Sequence, residues 1–189
     1  MSAPYFFGYG SLVNRATHTY PDASPARLNG WRRVWRHTDW HRTAFLSVVQ
    51  AKGAQIDGLI AHVPGGDWVA LDAREGGYQR QTATEAVTHE AGREIDIALY
   101  LVADDWQDLR RAPRPILLSY VDVVIQGFLR EFGPKGATRF FTTTDGWDAP
   151  VLNDRADPCY PRHQRLSAYE TGFVDEHLDE LSVRIVDNI

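Results

Sequence analysis

The hydrophobic pattern of this 189-residue chain changes period once, and that change limits the folds open to it. Up to about residue 102, apolar residues alternate with polar ones or run in short blocks bounded by glycines and charges, as strands do. Residues 5–8, 30–36, 43–50, 56–63, 82–88 and 95–102 read as strands, with a hairpin connection over 51–55 around Gly53. Residues 67–74 read as a short helix that turns Trp68, Val69 and Leu71 inward and ends at Gly76-Gly77. From Pro115 the period lengthens. Ile116, Tyr120, Val124, Phe128 and Phe132 fall every four residues, one face of a helix stopped by Gly133-Pro134. Residues 140–161, rich in Asp, Thr, Gly and Pro, read as an irregular segment, and a last amphipathic helix is expected over 166–181. Strands in one half and helices in the other imply an α+β fold, an antiparallel or mixed sheet that curls under its helices.

Composition excludes several function classes. Hydrophobic residues at 43% and charged residues at 24% supply an ordinary globular core. The length suits one domain, with a core over about 5–133 and an irregular segment plus helix over 134–189. A net charge of −5 argues against non-specific nucleic-acid binding, which needs a cationic surface. Cys159 is the single cysteine, so neither an intrachain disulfide nor a cysteine-based zinc cluster can form. The seven histidines show no ligand spacing, and no metal is expected. Neither a signal peptide nor a membrane-spanning run is visible, so a cytoplasmic protein is expected.

Three places carry candidate chemistry. The aromatic strand Tyr5-Phe6-Phe7 runs into Gly8-Tyr9-Gly10-Ser11-Leu12, a turn whose small residues let backbone N–H groups converge on a carboxylate or phosphate oxygen. Glu75 ends the short helix immediately before two glycines, which would leave open space beside its carboxylate. Tyr120 lies on the apolar face of the long helix, where a core tyrosine is the plain reading. Ser11 lacks the nucleophile-elbow pattern, and nothing near Cys159 would lower its pKa. Arg32, Arg33 and Arg36 could bind an acidic ligand, but arginines on the outer face of a strand are the commoner case.

Four segments in order resemble the γ-glutamylcyclotransferase superfamily, which includes the ChaC-type glutathione-degrading enzymes. Phe7-Gly8-Tyr9-Gly10-Ser11-Leu12 is similar to its amino-terminal loop, and Leu28-Asn29-Gly30-Trp31-Arg32-Arg33-Val34-Trp35 to its Gly-aromatic-basic strand. Residues 56–63, followed by Leu71-Asp72-Ala73-Arg74-Glu75-Gly76, resemble its strand and LDxxEG segment. Residues 115–127, with Ser119-Tyr120, resemble a helix carrying a substrate-contacting tyrosine. Where the ChaC-type enzymes carry Trp-Gly, this chain has Asp57-Gly58, a departure that bears on glutathione as substrate.

The resemblance implies a small mixed or antiparallel β-barrel flanked by helices, and a reaction in which the α-amine of a γ-glutamyl compound attacks its own γ-carbonyl. The products would be 5-oxoproline and a free amine, amino acid or peptide. It implies Glu75 as catalytic acid/base, and Tyr9, Gly10, Ser11, Leu12 and Tyr120 as substrate-binding residues. It implies no cofactor and no metal. The expected partner is a small-molecule γ-glutamyl substrate, without nucleic acid or membrane, and the oligomeric state stays open. The competing readings are a non-catalytic small-molecule-binding module on the same fold and, more distantly, a cysteine hydrolase using Cys159. The tail after Gly133 matches nothing in the better-known branches; it would shape the pocket that receives the leaving group or cover a sheet edge.

Overall fold

A computed structural model describes residues 2–103 and 113–188 of the chain. The first half builds a mixed sheet from β1 (Ala3–Gly8), β2 (Ser24–Arg36), β3 (Phe45–His62), β4 (Gln79–Thr82), β5 (Val87–His89) and β6 (Ile95–Leu101). Their order across the sheet is β4-β6-β1-β3-β2-β5. Strand β1 lies between β6, parallel to it, and β3, antiparallel to it. Its residues Tyr5, Phe6 and Phe7 are buried on both faces, which is why this strand reads as an unbroken aromatic run. The sheet curls into a half-barrel under three helices, α1 (Val69–Arg74), α2 (Leu118–Thr142) and α3 (Ala168–Glu180). Among the described residues no helix is long and apolar enough to cross a membrane.

Several local expectations are corrected. Residues 51–55 are not a hairpin, because β3 runs through them and stays paired with β2 on either side. The two strands pass a bulge there: Asn29 faces Gln55 and Trp31 faces Gln50, with Gly30 and Gly53 at φ of +77° and +79°. Residues 82–88 divide between the end of β4, a 3-10 turn (Thr84–Ala86) and the start of β5. In α1, Leu71 is buried but Val69 points to solvent. The long helix begins at Leu118 rather than Pro115, after the short β7 (Ile116–Leu117).

Gly133-Pro134 interrupts the long helix without ending it. Gly133 takes φ 65° and ψ −176°, and Pro134 opens a further helical stretch to Thr142. The segment after it holds three short strands, β8 (Thr144–Asp145) beside β2, and β9 (Val151–Leu152) between β7 and β10 (Ile185–Val186). In α3 the buried side chains are Val174, His177 and Leu178, whereas Tyr169 and Leu181 are exposed.

Helix α2 carries the core. From Leu118 to Phe128 it is buried on nearly every side, and it presses against the turn that follows β1. A Cβ on Gly127 would meet backbone atoms of Asn14 at 2.7 and 2.8 Å, so a glycine is needed at this crossing. The Asn14 side-chain amide donates to the Val123 carbonyl and to Gln126 Oε1, both at 2.9 Å.

Candidate active site

Two cavities meet at Glu75. The smaller, about 30 Å³, is bounded by residues 7–12 together with Glu75, Tyr78, Tyr100 and Tyr120. The larger, about 340 Å³, shares Ser11, Glu75, Tyr78 and Tyr120 and opens past Phe45 toward Tyr160 and Arg162. The turn, the carboxylate and the helix tyrosine therefore line one continuous space, although they come from three distant parts of the chain.

The turn is built to present its backbone. After Gly8 the chain enters a 3-10 turn (Ser11–Val13), in which the Gly10 and Ser11 carbonyls accept from Val13 and Asn14 N–H at 2.9 and 3.1 Å. The first N–H groups of such a turn have no partner within it. The side chains of Tyr9 and Leu12 are taken up elsewhere: the Tyr9 hydroxyl donates to the Tyr100 carbonyl, and Leu12 packs with Phe6 and Leu71. What these two residues can offer a ligand is backbone.

Arg33 holds the turn from behind. The strand pattern placed it among outward arginines, yet it is 1% exposed and its guanidinium lies over the rings of Phe128 and Phe140. It donates to the Tyr9 carbonyl at 2.8 Å, to the Thr143 hydroxyl at 2.9 Å and to the Asp57 carbonyl. Burial works against its charge, and the nearby Asp57 carboxylate works for it.

Glu75 is tied to the same turn through Arg74. The Thr17 hydroxyl lies 3.0 Å from the Ser11 carbonyl; Arg74 donates to that hydroxyl and to the Thr17 carbonyl, and its Nε reaches Glu75 Oε1 at 3.1 Å. The Glu75 side chain is 16% exposed. Burial lifts its pKa above the ordinary carboxylate value, while the charges of Arg74 and Arg162 pull it back. Of the two glycines after it, only Gly76 lines the cavity. Gly77, at φ +98°, instead makes room for Trp40, whose ring lies 2.5 Å from where a Cβ would stand.

Tyr120 closes the space. Its ring meets Trp35 and Tyr160 edge-on, with centroids 5.9 and 5.0 Å away. Burial raises its pKa far above a free phenol, Tyr160 and Glu75 add to this, and a hydrogen bond from the Ser11 N–H opposes it. At neutral pH the hydroxyl keeps its proton and can donate. Tyr78 is held similarly, its hydroxyl donating to the Leu46 carbonyl at 3.0 Å.

The tail supplies the remaining wall. Asp154, buried, accepts from the Ser119 N–H at 2.8 Å, from the Ser119 hydroxyl and from the Cys159 N–H at 2.9 Å. One carboxylate thus caps the start of α2 and fixes the loop that brings in Tyr160 and Arg162. Cys159 lines the cavity as a free, exposed thiol; desolvation and the carboxylates of Asp154 and Asp157 raise its pKa, which disfavours a thiolate. Among the described residues no group of three or more His, Cys, Asp or Glu side chains could hold a metal ion.

The family model described as gamma-glutamyl cyclotransferase, AIG2-like, matches residues 6–118, which contain the turn and Glu75. The chain belongs to this family. The match stops two residues short of Tyr120, so Tyr120, Tyr160 and Arg162 lie beyond it.

Solved structures agree on the fold. A protein named gamma-glutamyl cyclotransferase is 16% identical, with 91% of this chain and 98% of that one covered at a TM-score of 0.58. A human protein described as uncharacterized protein loc79017 is 17% identical, covering 93% and 99% at 0.58. YkqA from Bacillus subtilis is 18% identical, covering 77% of this chain and 57% of that one, also at 0.58. No curated protein matches the chain significantly.

Arg74, Tyr78 and Asp154 were not picked out by sequence reasoning. Arg33 was read as an outer-face arginine, and Tyr160 and Arg162 only as part of a tail that would shape the leaving-group pocket or cover a sheet edge. Arg74 carried a usable signal, since it precedes Glu75 on a helix end and is the nearest cation available to it. Tyr160 and Arg162 carried a weaker one, an aromatic and a cation placed around Pro161 in a segment with no evident core pattern.

Proposed function

We propose that this protein is a γ-glutamyl cyclotransferase that releases 5-oxoproline by intramolecular aminolysis. The observation that carries the reading is the position of Glu75, a partly buried carboxylate of raised pKa at the junction of a small backbone-lined recess and a larger cavity.

In this reading the α-carboxylate of the glutamyl group sits in the recess against the N–H groups of residues 9–12. That leaves the α-ammonium beside Glu75 and bends the chain so that the amine faces its own γ-carbonyl. Restricting the chain in this way is worth several kcal/mol, on the order of the 7–11 kcal/mol reached by the best oriented intramolecular reactions. Glu75 takes a proton from the ammonium; the amine nitrogen attacks the γ-carbon and a tetrahedral oxyanion forms. Glu75 returns the proton to the leaving nitrogen and takes a second one from the ring nitrogen, and the oxyanion reforms the carbonyl as the old C–N bond breaks. The second proton leaves with the released amine as its ammonium form, so that the lactam nitrogen is left neutral and Glu75 is again a carboxylate. Proton transfer of this kind contributes roughly 10²–10⁴-fold. No metal or cofactor enters the chemistry.

The test is a panel of γ-glutamyl amino acids, γ-glutamyl amines and glutathione assayed for 5-oxoproline, with Glu75→Gln alongside. Turnover of at least one compound, lost in Glu75→Gln, is the expected result. Silence on every compound would leave the ligand-binding module as the better account, and turnover that survives Glu75→Gln would remove the assigned mechanism.

A further inference from the structure

Arg162 stands apart from the other charges at the site. It lines the larger cavity and is half-buried, yet among the described residues no carboxylate lies within ion-pair distance of it. Arg74, by contrast, is committed to Glu75 and Thr17. Arg162 and Glu75 line the same cavity, and the Arg162 charge favours the ionised form of Glu75 without an ion pair between the two. The approach to it is walled by aromatic rings, Phe45 and Tyr160 among them.

The small recess accounts for one anion, the α-carboxylate of the glutamyl group, and has room for little else. Whatever is attached to the γ-carbonyl must extend past Glu75 into the larger cavity, where a planar guanidinium without an ion-pair partner among the described residues waits. Such a fork matches a carboxylate in two parallel hydrogen bonds, and partial burial strengthens them.

We propose that Arg162 binds a carboxylate on the leaving group, which makes γ-glutamyl amino acids and peptides, rather than γ-glutamyl amines, the ligands this cavity selects. The assignment of the two halves rests on the cyclotransferase reading above; the binding preference can be measured without turnover.

The experiment is calorimetric titration of the Glu75→Gln protein with γ-glutamyl-alanine and with γ-glutamyl-ethylamide, the same ligand lacking the second carboxylate. The alanine compound should bind at least about tenfold more tightly, since charge-assisted bidentate pairs are among the strong hydrogen bonds. Adding Arg162→Met should abolish that gap by weakening the alanine compound alone, and Arg162→Lys should restore part of it. A thermal melt of each variant checks folding. Equal affinity for the two ligands, no binding of either, or an equal loss of both in Arg162→Met would overturn the proposal; the last would place Arg162 on the glutamyl half. If the gap and its Arg162 dependence are found while the unaltered protein releases no 5-oxoproline, the cyclotransferase reading fails and the carboxylate site stands.

Discussion

The Tyr120 hydroxyl stands 2.5 Å from the position a Cβ on Gly10 would occupy, with Leu46 Cδ2 at 3.0 Å on the same point. The lack of a side chain at Gly10 therefore serves the close approach of a neighbour. The phenol of α2 is thereby brought onto the turn, and Gly10 and Tyr120 both line the recess beside Glu75.

Gly10→Ala should therefore damage the site before it damages the fold. The Tyr120 ring is wedged against Trp35 and Tyr160 and cannot swing away cheaply. Loss of one aligned donor costs on the order of 10²–10³-fold in kcat, and about 10²-fold is expected for both Gly10→Ala and Tyr120→Phe. Steady-state kinetics of 5-oxoproline release, with a melt of each variant, checks this; wild-type kcat in Tyr120→Phe would exclude the hydroxyl from the reaction.

The pH profile of kcat/KM should show an acid limb set by Glu75, because the base must be ionised. Burial raises that pKa, so the limb should fall above the ordinary carboxylate value of 4.5. Arg74→Met removes a cation that favours the ionised form, and the limb should move to higher pH. A limb that stays in place would mean that another group controls it.

The same shift has a consequence for stability. With the folded pKa above the unfolded one, the native state binds more protons between the two values, and stability falls as pH rises through that window. Glu75→Gln escapes this loss. Its melting temperature relative to wild type should be higher at pH 7 than at pH 4, as two scans at each pH would show.

Arg33→Met should be the most destabilising of these changes. It leaves the Tyr9 and Asp57 carbonyls and the Thr143 hydroxyl without their donor in a buried setting. Stranded buried groups cost roughly 1–3 kcal/mol each, and a total of about 3 kcal/mol is expected. Arg33→Lys keeps the charge but not the fork, and should recover little of it. Urea unfolding gives the number, and a loss under 1 kcal/mol would contradict the anchoring role.

Asp154→Ala should loosen the tail wall. Three donors lose their acceptor, at a cost of about 1–3 kcal/mol. In the proposed binding mode Tyr160 and Arg162 face the leaving group, so KM should rise more than kcat falls. A large fall in kcat at unchanged KM would argue that the tail acts on the reacting atoms.

How legible each part was depended on the range of the interaction behind it. The aromatic strand at Tyr5, the four-residue recurrence from Ile116 to Phe132 and the helix end at Glu75-Gly76 are local patterns; they found their elements, though the recurrence began within β7, at Ile116. The hairpin expected around Gly53 did not form, because β2 pairs with β3 on both sides of it and a bulge takes up the residues between. Gly133-Pro134 looked like a stop because either residue disfavours a helix locally. The packing of Ala137, Phe140 and Phe141 on the core carries the helix beyond it.

By itself the sequence determined the α+β class and the turn after the first strand, since each rests on periodicity or on residues close together in the chain. The grouping of that turn with the distant Glu75 and Tyr120 came from the resemblance of four ordered segments to the γ-glutamylcyclotransferase superfamily. Only the tertiary structure decided that Arg33 is buried behind the Tyr9 carbonyl, that Gly10 yields its space to Tyr120, and that the tail brings Arg162 to the cavity. Those outcomes depend on which distant segments meet. An arginine among alternating residues looks the same in sequence whether its strand face meets water or the Phe128 and Phe140 rings of α2.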